Sequence, residues 1–114
     1  YGYADLAFYM ISRPEHPSYG NIIARGATTL WEGFWKDNTC KILSMNHHFW
    51  GDISGWFIKC IAGIRLNPDG NDVNSVEIKP SFVKKLDNVK AYHIAPGGKI
   101  LSAWERKNDK IIIF

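Results

Sequence analysis

The sequence is short of cysteine, of basic runs and of long apolar runs, and each shortage removes a class of function. Its two cysteines, Cys40 and Cys60, stand 20 positions apart in 114 residues. Two isolated thiols make no disulfide framework and fall at no metal-ligand spacing, so no metal site is expected. The formal net charge is only +3, and no basic run exceeds Lys84-Lys85. That leaves no electrostatic footprint for nucleic acid. No apolar stretch approaches the ~20 residues that span a bilayer, so no membrane helix is expected. The chain has no glycine-rich phosphate loop and no nucleophile elbow, and no cofactor is implied. It also lacks an initiator methionine, opening on Tyr1-Gly2-Tyr3-Ala4 as the middle of a domain would.

What is present is unevenly spread. Residues 1–64 hold 12 of the 16 aromatics and 5 basic against 5 acidic residues. Residues 65–114 hold 4 aromatics and 9 basic against 6 acidic residues. Hydrophobic residues make up 46% and charged residues 22%, a globular balance with room for one ordinary domain. The turn-rich segment Asn67-Pro68-Asp69-Gly70-Asn71-Asp72 is the natural boundary.

The first half reads as helices. Leu6, Tyr9 and Met10 recur at helical spacing within Ala4–Ser12, and Pro14 stops that helix. Pro17 is well placed to begin a short helix through Ala24, and Gly26 sits where a helix end wants a left-handed residue. A long helix is predicted from about His47 to Gly63, capped by Ser44 or Asn46. Its apolar stripe is Phe49, Ile53, Phe57, Cys60 and Ile64. The second half reads as strands over Val73–Lys79, Val89–Ala95, Lys99–Arg106 and Lys110–Phe114. Ile100, Ser102 and Trp104 should share one face.

Two blocks carry the candidate chemistry. Gly26-Ala27-Thr28-Thr29-Leu30-Trp31-Glu32 places a carboxylate beside Trp31, Phe34 and Trp35. Asn46-His47-His48-Phe49-Trp50-Gly51 adds a histidine pair and another indole. A carboxylate among apolar rings suits acid–base work. The plain alternative is a surface Glu32 paired with Lys36 on a helix. Adjacent histidines on a helix point about 100° apart, so only one could face a site. Four tryptophans lie within 26 residues, and Trp31, Trp35 and Trp50 flank the polar groups. Flat rings beside a carboxylate offer a sugar its apolar face and a polar partner at once; Trp56 fits the helical stripe and reads as core.

These blocks, in their order and spacing, resemble the end of the catalytic domain of bacterial α-L-rhamnosidases. The resemblance runs through His16-Pro17-Ser18-Tyr19-Gly20, the Thr-Thr-Leu-Trp-Glu block, Ser44-Met45-Asn46-His47 with Gly51, and Ser54-Gly55-Trp56-Phe57 closing on Ala62-Gly63-Ile64. Val76-Glu77-Ile78-Lys79-Pro80 resembles the start of the β-sandwich that follows. The resemblance implies an α+β fragment. Residues 1–66 would be the final helices of an (α/α)6 barrel, and residues 67–114 part of an antiparallel β-sandwich. It implies inverting hydrolysis of terminal α-L-rhamnosides, with Glu32 as general base and His47 on the sugar. The ligand would be a rhamnose-containing glycoside. The partner would be the remainder of the catalytic domain, which holds the general acid, so this chain alone should be inactive. The readings from other classes are a non-catalytic carbohydrate-binding module and a purely structural domain.

Overall fold

The computed structural model describes residues 2–36, 44–67, 72 and 75–114. Cys40, the core of the 67–72 turn and the start of the strand expected at Val73 lie outside the described residues. The chain packs as two units, Tyr1–Ile53 and Ser54–Phe114.

In the first unit, α1 spans Ala4–Ser12 and α2 spans Tyr19–Ala24. α1 matches its predicted bounds. α2 starts later than Pro17 because Ser18 caps it: the Ser18 hydroxyl accepts from the Asn21 amide at 2.8 Å. At its other end Gly26 is left-handed, with φ +90. The Gly26 amide donates to Ile23 and the Ala27 amide to Ile22, the paired bonds of a Schellman end. Gly20 is required for a different reason. A Cβ there would collide with the carbonyls of Ser12 and Arg13, so only glycine lets α2 cross the end of α1.

The long helix expected over 47–63 is instead three pieces. A 3-10 turn covers His48–Trp50, α3 covers Ile53–Trp56, and a π turn covers Phe57–Ile61. The cap of the first piece is neither Ser44 nor Asn46. It is His47, whose Nδ1 accepts from the Phe49 amide at 3.1 Å. The expected stripe breaks with the continuity and keeps only Ile64 of its members fully buried. Phe49 and Phe57 are exposed, while Ile61, Ala62 and Ile64 are buried. The π turn causes part of this: the Ala62 amide reaches five residues back to the Phe57 carbonyl, shifting which side chains face inward.

The second unit holds most of α3, the π turn and two antiparallel sheets. β1, Ile64–Leu66, pairs with β2, Val76–Ile78, with Arg65 opposite Glu77. β3 (Asn88–Ala95), β4 (Gly98–Lys107) and β5 (Lys110–Ile113) form a meander. Three of the predicted strands hold to within a residue or so of their ends. Asn108 and Asp109 connect β4 to β5 with both φ values positive, the conformation a two-residue hairpin favours. Register puts Val89, Ala91 and His93 opposite Trp104, Ser102 and Ile100. That face covers the π turn, and Trp104 and Ser102 are each 1% exposed. The predicted Ile100–Ser102–Trp104 face is therefore the core face.

The helix end is tied to the sheet by its carbonyls. Those of Lys59, Cys60, Ile61, Ala62 and Gly63 accept in turn from Arg65, Ser81, Trp104, Ser102 and Lys79. A helix end leaves such groups without intrahelical partners, and here strands and loops supply all five.

Candidate functional site

Glu32 lies in residues 31–36, a stretch that forms neither helix nor strand. The helical pair with Lys36 therefore has no helix to form on, and no ion pair joins the two among the described residues. Irregular backbone inside a fold needs partners for its polar groups. Here they come from three other segments. The Trp50 indole Nε1 donates to the Glu32 carbonyl at 2.9 Å. His16 Nε2 lies 2.8 Å from the Phe34 carbonyl, which accepts its proton. Arg25 donates to the Trp35 carbonyl.

The two sequence blocks are joined through their backbones. The His47 amide donates to the Leu30 carbonyl at 2.8 Å, and the Glu32 amide to the Ser44 carbonyl at 3.0 Å. The Thr29 hydroxyl adds a bond to the Met45 carbonyl. Glu32 and His47 thus stand on neighbouring, mutually bonded segments.

His47 is extended, with φ −132 and ψ 132. This overturns the expectation that the two histidines diverge. His47 precedes the turn rather than lying on a helix, and its ring stacks on that of His48 at 5.2 Å and 6°. With Nδ1 accepting from Phe49, the neutral His47 ring carries its proton on Nε2 and presents a donor there.

The aromatic candidates divide by accessibility. Trp31 is 7% exposed, with the Arg25 guanidinium 5.2 Å above its ring and Trp35 packed against it at 6.0 Å. Trp35 is half-buried, and Trp50 is the more open ring. Trp50 packs on Phe34 at 5.5 Å and meets Phe49 edge-on at 5.1 Å. A cavity of about 560 Å³ opens beside Thr28, Thr29 and Met45. Trp31 lines it, while Glu32, His47, Trp35 and Trp50 lie outside its lining.

Sequence reasoning missed Tyr19. Its hydroxyl donates to the Trp50 carbonyl at 2.8 Å, and its ring meets Phe34 edge-on at 5.3 Å. Burial, and after it the Asp52 carboxylate, raises the phenol above its ordinary pKa, so it stays a donor. The only hint in the sequence was its place in the His16–Gly20 block, which carries part of the resemblance but assigns Tyr19 no role.

Residues 1–61 match the model for the bacterial alpha-L-rhamnosidase 6 hairpin glycosidase domain. An alpha-L-rhamnosidase of Formosa agariphila is 30% identical over 98% of this chain and 12% of its own length. One of Streptomyces avermitilis is 26% identical over 98% of the chain and 11% of its own. The solved alpha-L-rhamnosidase from Dictyoglumus thermophilum superposes with a TM-score of 0.87 at 30% identity, over 99% of this chain and 12% of that one. The Streptomyces avermitilis alpha-L-rhamnosidase complexed with L-rhamnose gives a TM-score of 0.81 at 25% identity, over 98% of this chain and 11% of that one. The chain thus spans about 12% of the length of relatives whose backbone it follows almost throughout. By the match over its first 61 residues, it belongs to the bacterial α-L-rhamnosidase family.

Proposed function

We propose that this chain is the part of an inverting glycoside hydrolase that supplies the general base for cleaving terminal α-L-rhamnosides. Residues 1–66 would close an (α/α)6 barrel, and residues 67–114 would begin a β-sandwich. Glu32 takes the proton of a water molecule as that water attacks the anomeric carbon from the face opposite the leaving group. An acid elsewhere in the longer protein protonates the departing glycosidic oxygen, and the two carboxyl groups stand roughly 6.5–9.5 Å apart to admit the water. His47 Nε2 donates to a sugar hydroxyl. Trp35 and Trp50 offer ring faces to the sugar, and Trp31, packed against Trp35, supports that ring. The chain without its acid is inactive.

The observation that carries this reading is the treatment of Glu32. Both its amide and its carbonyl are held, by Ser44 and Trp50, in a stretch with no regular structure. That fixes the direction of its Cα–Cβ bond, as a positioned base requires. Membership of a glycosidase family favours hydrolysis over a binding module. The two-layer proposal for the second half is supported by the free face of the meander, where Tyr92, Ile94, Leu101 and Ile112 are all exposed.

The test is Glu32→Gln in the full-length protein, assayed on an aryl α-L-rhamnoside. A positioned base is worth roughly 10²–10⁴-fold, and a loss in that range is expected. Activity within about tenfold of the parent would sink the role.

A further inference from the structure

We propose that Trp50 and Tyr19 are positioning residues for Glu32, acting through two consecutive hydrogen bonds on backbone carbonyls. This rests on the reading of Glu32 as the base. The Trp50 indole N–H holds the Glu32 carbonyl at 2.9 Å, and the Tyr19 hydroxyl holds the Trp50 carbonyl at 2.8 Å.

The geometry gives each link a reason. Residues 31–36 have no ladder or helix to set their dihedrals, so the direction of the Glu32 side chain depends on what holds its peptide groups. Its amide is held by the Ser44 carbonyl, on the segment that leads to His47. Its carbonyl is held by Trp50, three residues past His47. One short segment therefore sets both ends of the Glu32 residue. Trp50 in turn sits in a 3-10 turn of only three residues, too short to be rigid by itself. Tyr19, at the start of α2, ties that turn back to the helical part of the unit. The rings follow the bonds: Tyr19 packs on Phe34, and Phe34 packs on Trp50. Trp50 has its one polar atom engaged on the backbone, so it can offer a sugar only the face of its ring.

Positioning and substrate contact make opposite kinetic predictions. Loss of a sugar contact raises KM. Loss of positioning lowers kcat and leaves KM alone, because a misplaced base binds substrate as well but reacts more slowly. A misplacement of about 1 Å can cost on the order of 10²-fold.

The experiment uses the full-length enzyme and an aryl α-L-rhamnoside. Trp50→Phe keeps a ring and removes the N–H. The expected result is a kcat lowered tenfold or more and a thermal midpoint within a few degrees of the parent; KM is read on Tyr19→Phe, because the Trp50 ring also faces the sugar. Tyr19→Phe removes a single hydroxyl and guards against misfolding of the first variant. It should lower kcat at least threefold with KM unchanged. A smaller loss of kcat in both variants, a KM that rises in step in Tyr19→Phe, or a kcat that falls only with the melting midpoint overturns the proposal. Glu32→Gln is assayed alongside. If that variant keeps activity within tenfold, the base reading itself has failed. If it is dead while Trp50→Phe and Tyr19→Phe turn over normally, the positioning role alone has failed.

Discussion

The two nitrogens of His47 have separable parts in the proposed site. Nδ1 caps the His48–Trp50 turn, while Nε2 is left as a donor on the segment bonded to the Glu32 block. Asparagine is a good cap but too short to place a donor where the imidazole edge reaches. His47→Asn should therefore keep most of the stability and lose the sugar contact. The expected result is a kcat/KM about tenfold lower, as for one lost hydrogen bond of roughly 1–1.5 kcal/mol. His47→Ala should lose about 1 kcal/mol of stability as well. Michaelis kinetics and thermal melts of the two full-length variants separate the effects. An unchanged melting midpoint in His47→Ala would show that Nδ1 does no capping. Glu32 and His47 were legible beforehand as candidates only. A carboxylate and a histidine set among aromatic rings stand out in any composition. What the residues alone could not give is the bond from Trp50 to Glu32, because two positions 18 apart share no period that a pattern could reveal.

At the scale of elements, short-range rules worked where one geometry persists and failed where geometry changes. β3, β4 and β5 follow a strict two-residue alternation, and the Asn108-Asp109 turn has the residue types its backbone needs. Residues 48–61 pass from 3-10 to α to π, so a single helical period mislabels their inner face. What stabilises that irregular run is the sheet beneath its end. The Ser102 hydroxyl donates to the Ala62 carbonyl at 2.6 Å in a buried position. Ser102→Ala leaves that carbonyl unpaired, at a cost of about 1–3 kcal/mol. The loss is local, so it should appear as local opening rather than global unfolding. Hydrogen exchange of residues 57–66 in the full-length protein should speed up roughly 5–150-fold, the factor for that energy. Unchanged exchange there would mean the bond contributes nothing to holding the helix end.

At the scale of the whole chain, both units carry apolar surface that they do not cover themselves. In the first unit, Tyr3, Leu6, Tyr9 and Met10 of the α1 region are exposed, and α1 buries no residue. In the second, the meander has one face on the π turn and the opposite face open, with Tyr92 58% and Ile94 70% exposed. A sheet with two apolar faces is made to lie between layers, and an open face of this kind associates. The separately produced 114-residue chain should therefore self-associate at micromolar concentrations, seen as a rising sedimentation coefficient with concentration. Leu101 and Ile94 are on the open face, away from the Trp104–Ser102 core. Ile94→Lys with Leu101→Lys should shift the chain toward monomer while leaving its circular dichroism unchanged. Substituting Val83, 1% exposed in the core, by Lys should instead unfold the sheet. A parent chain that sediments as a monomer and melts in one sharp transition would contradict the layered reading. So would a Lys pair on the open face that leaves association untouched, since the sandwich proposal requires that face to be the sticky one.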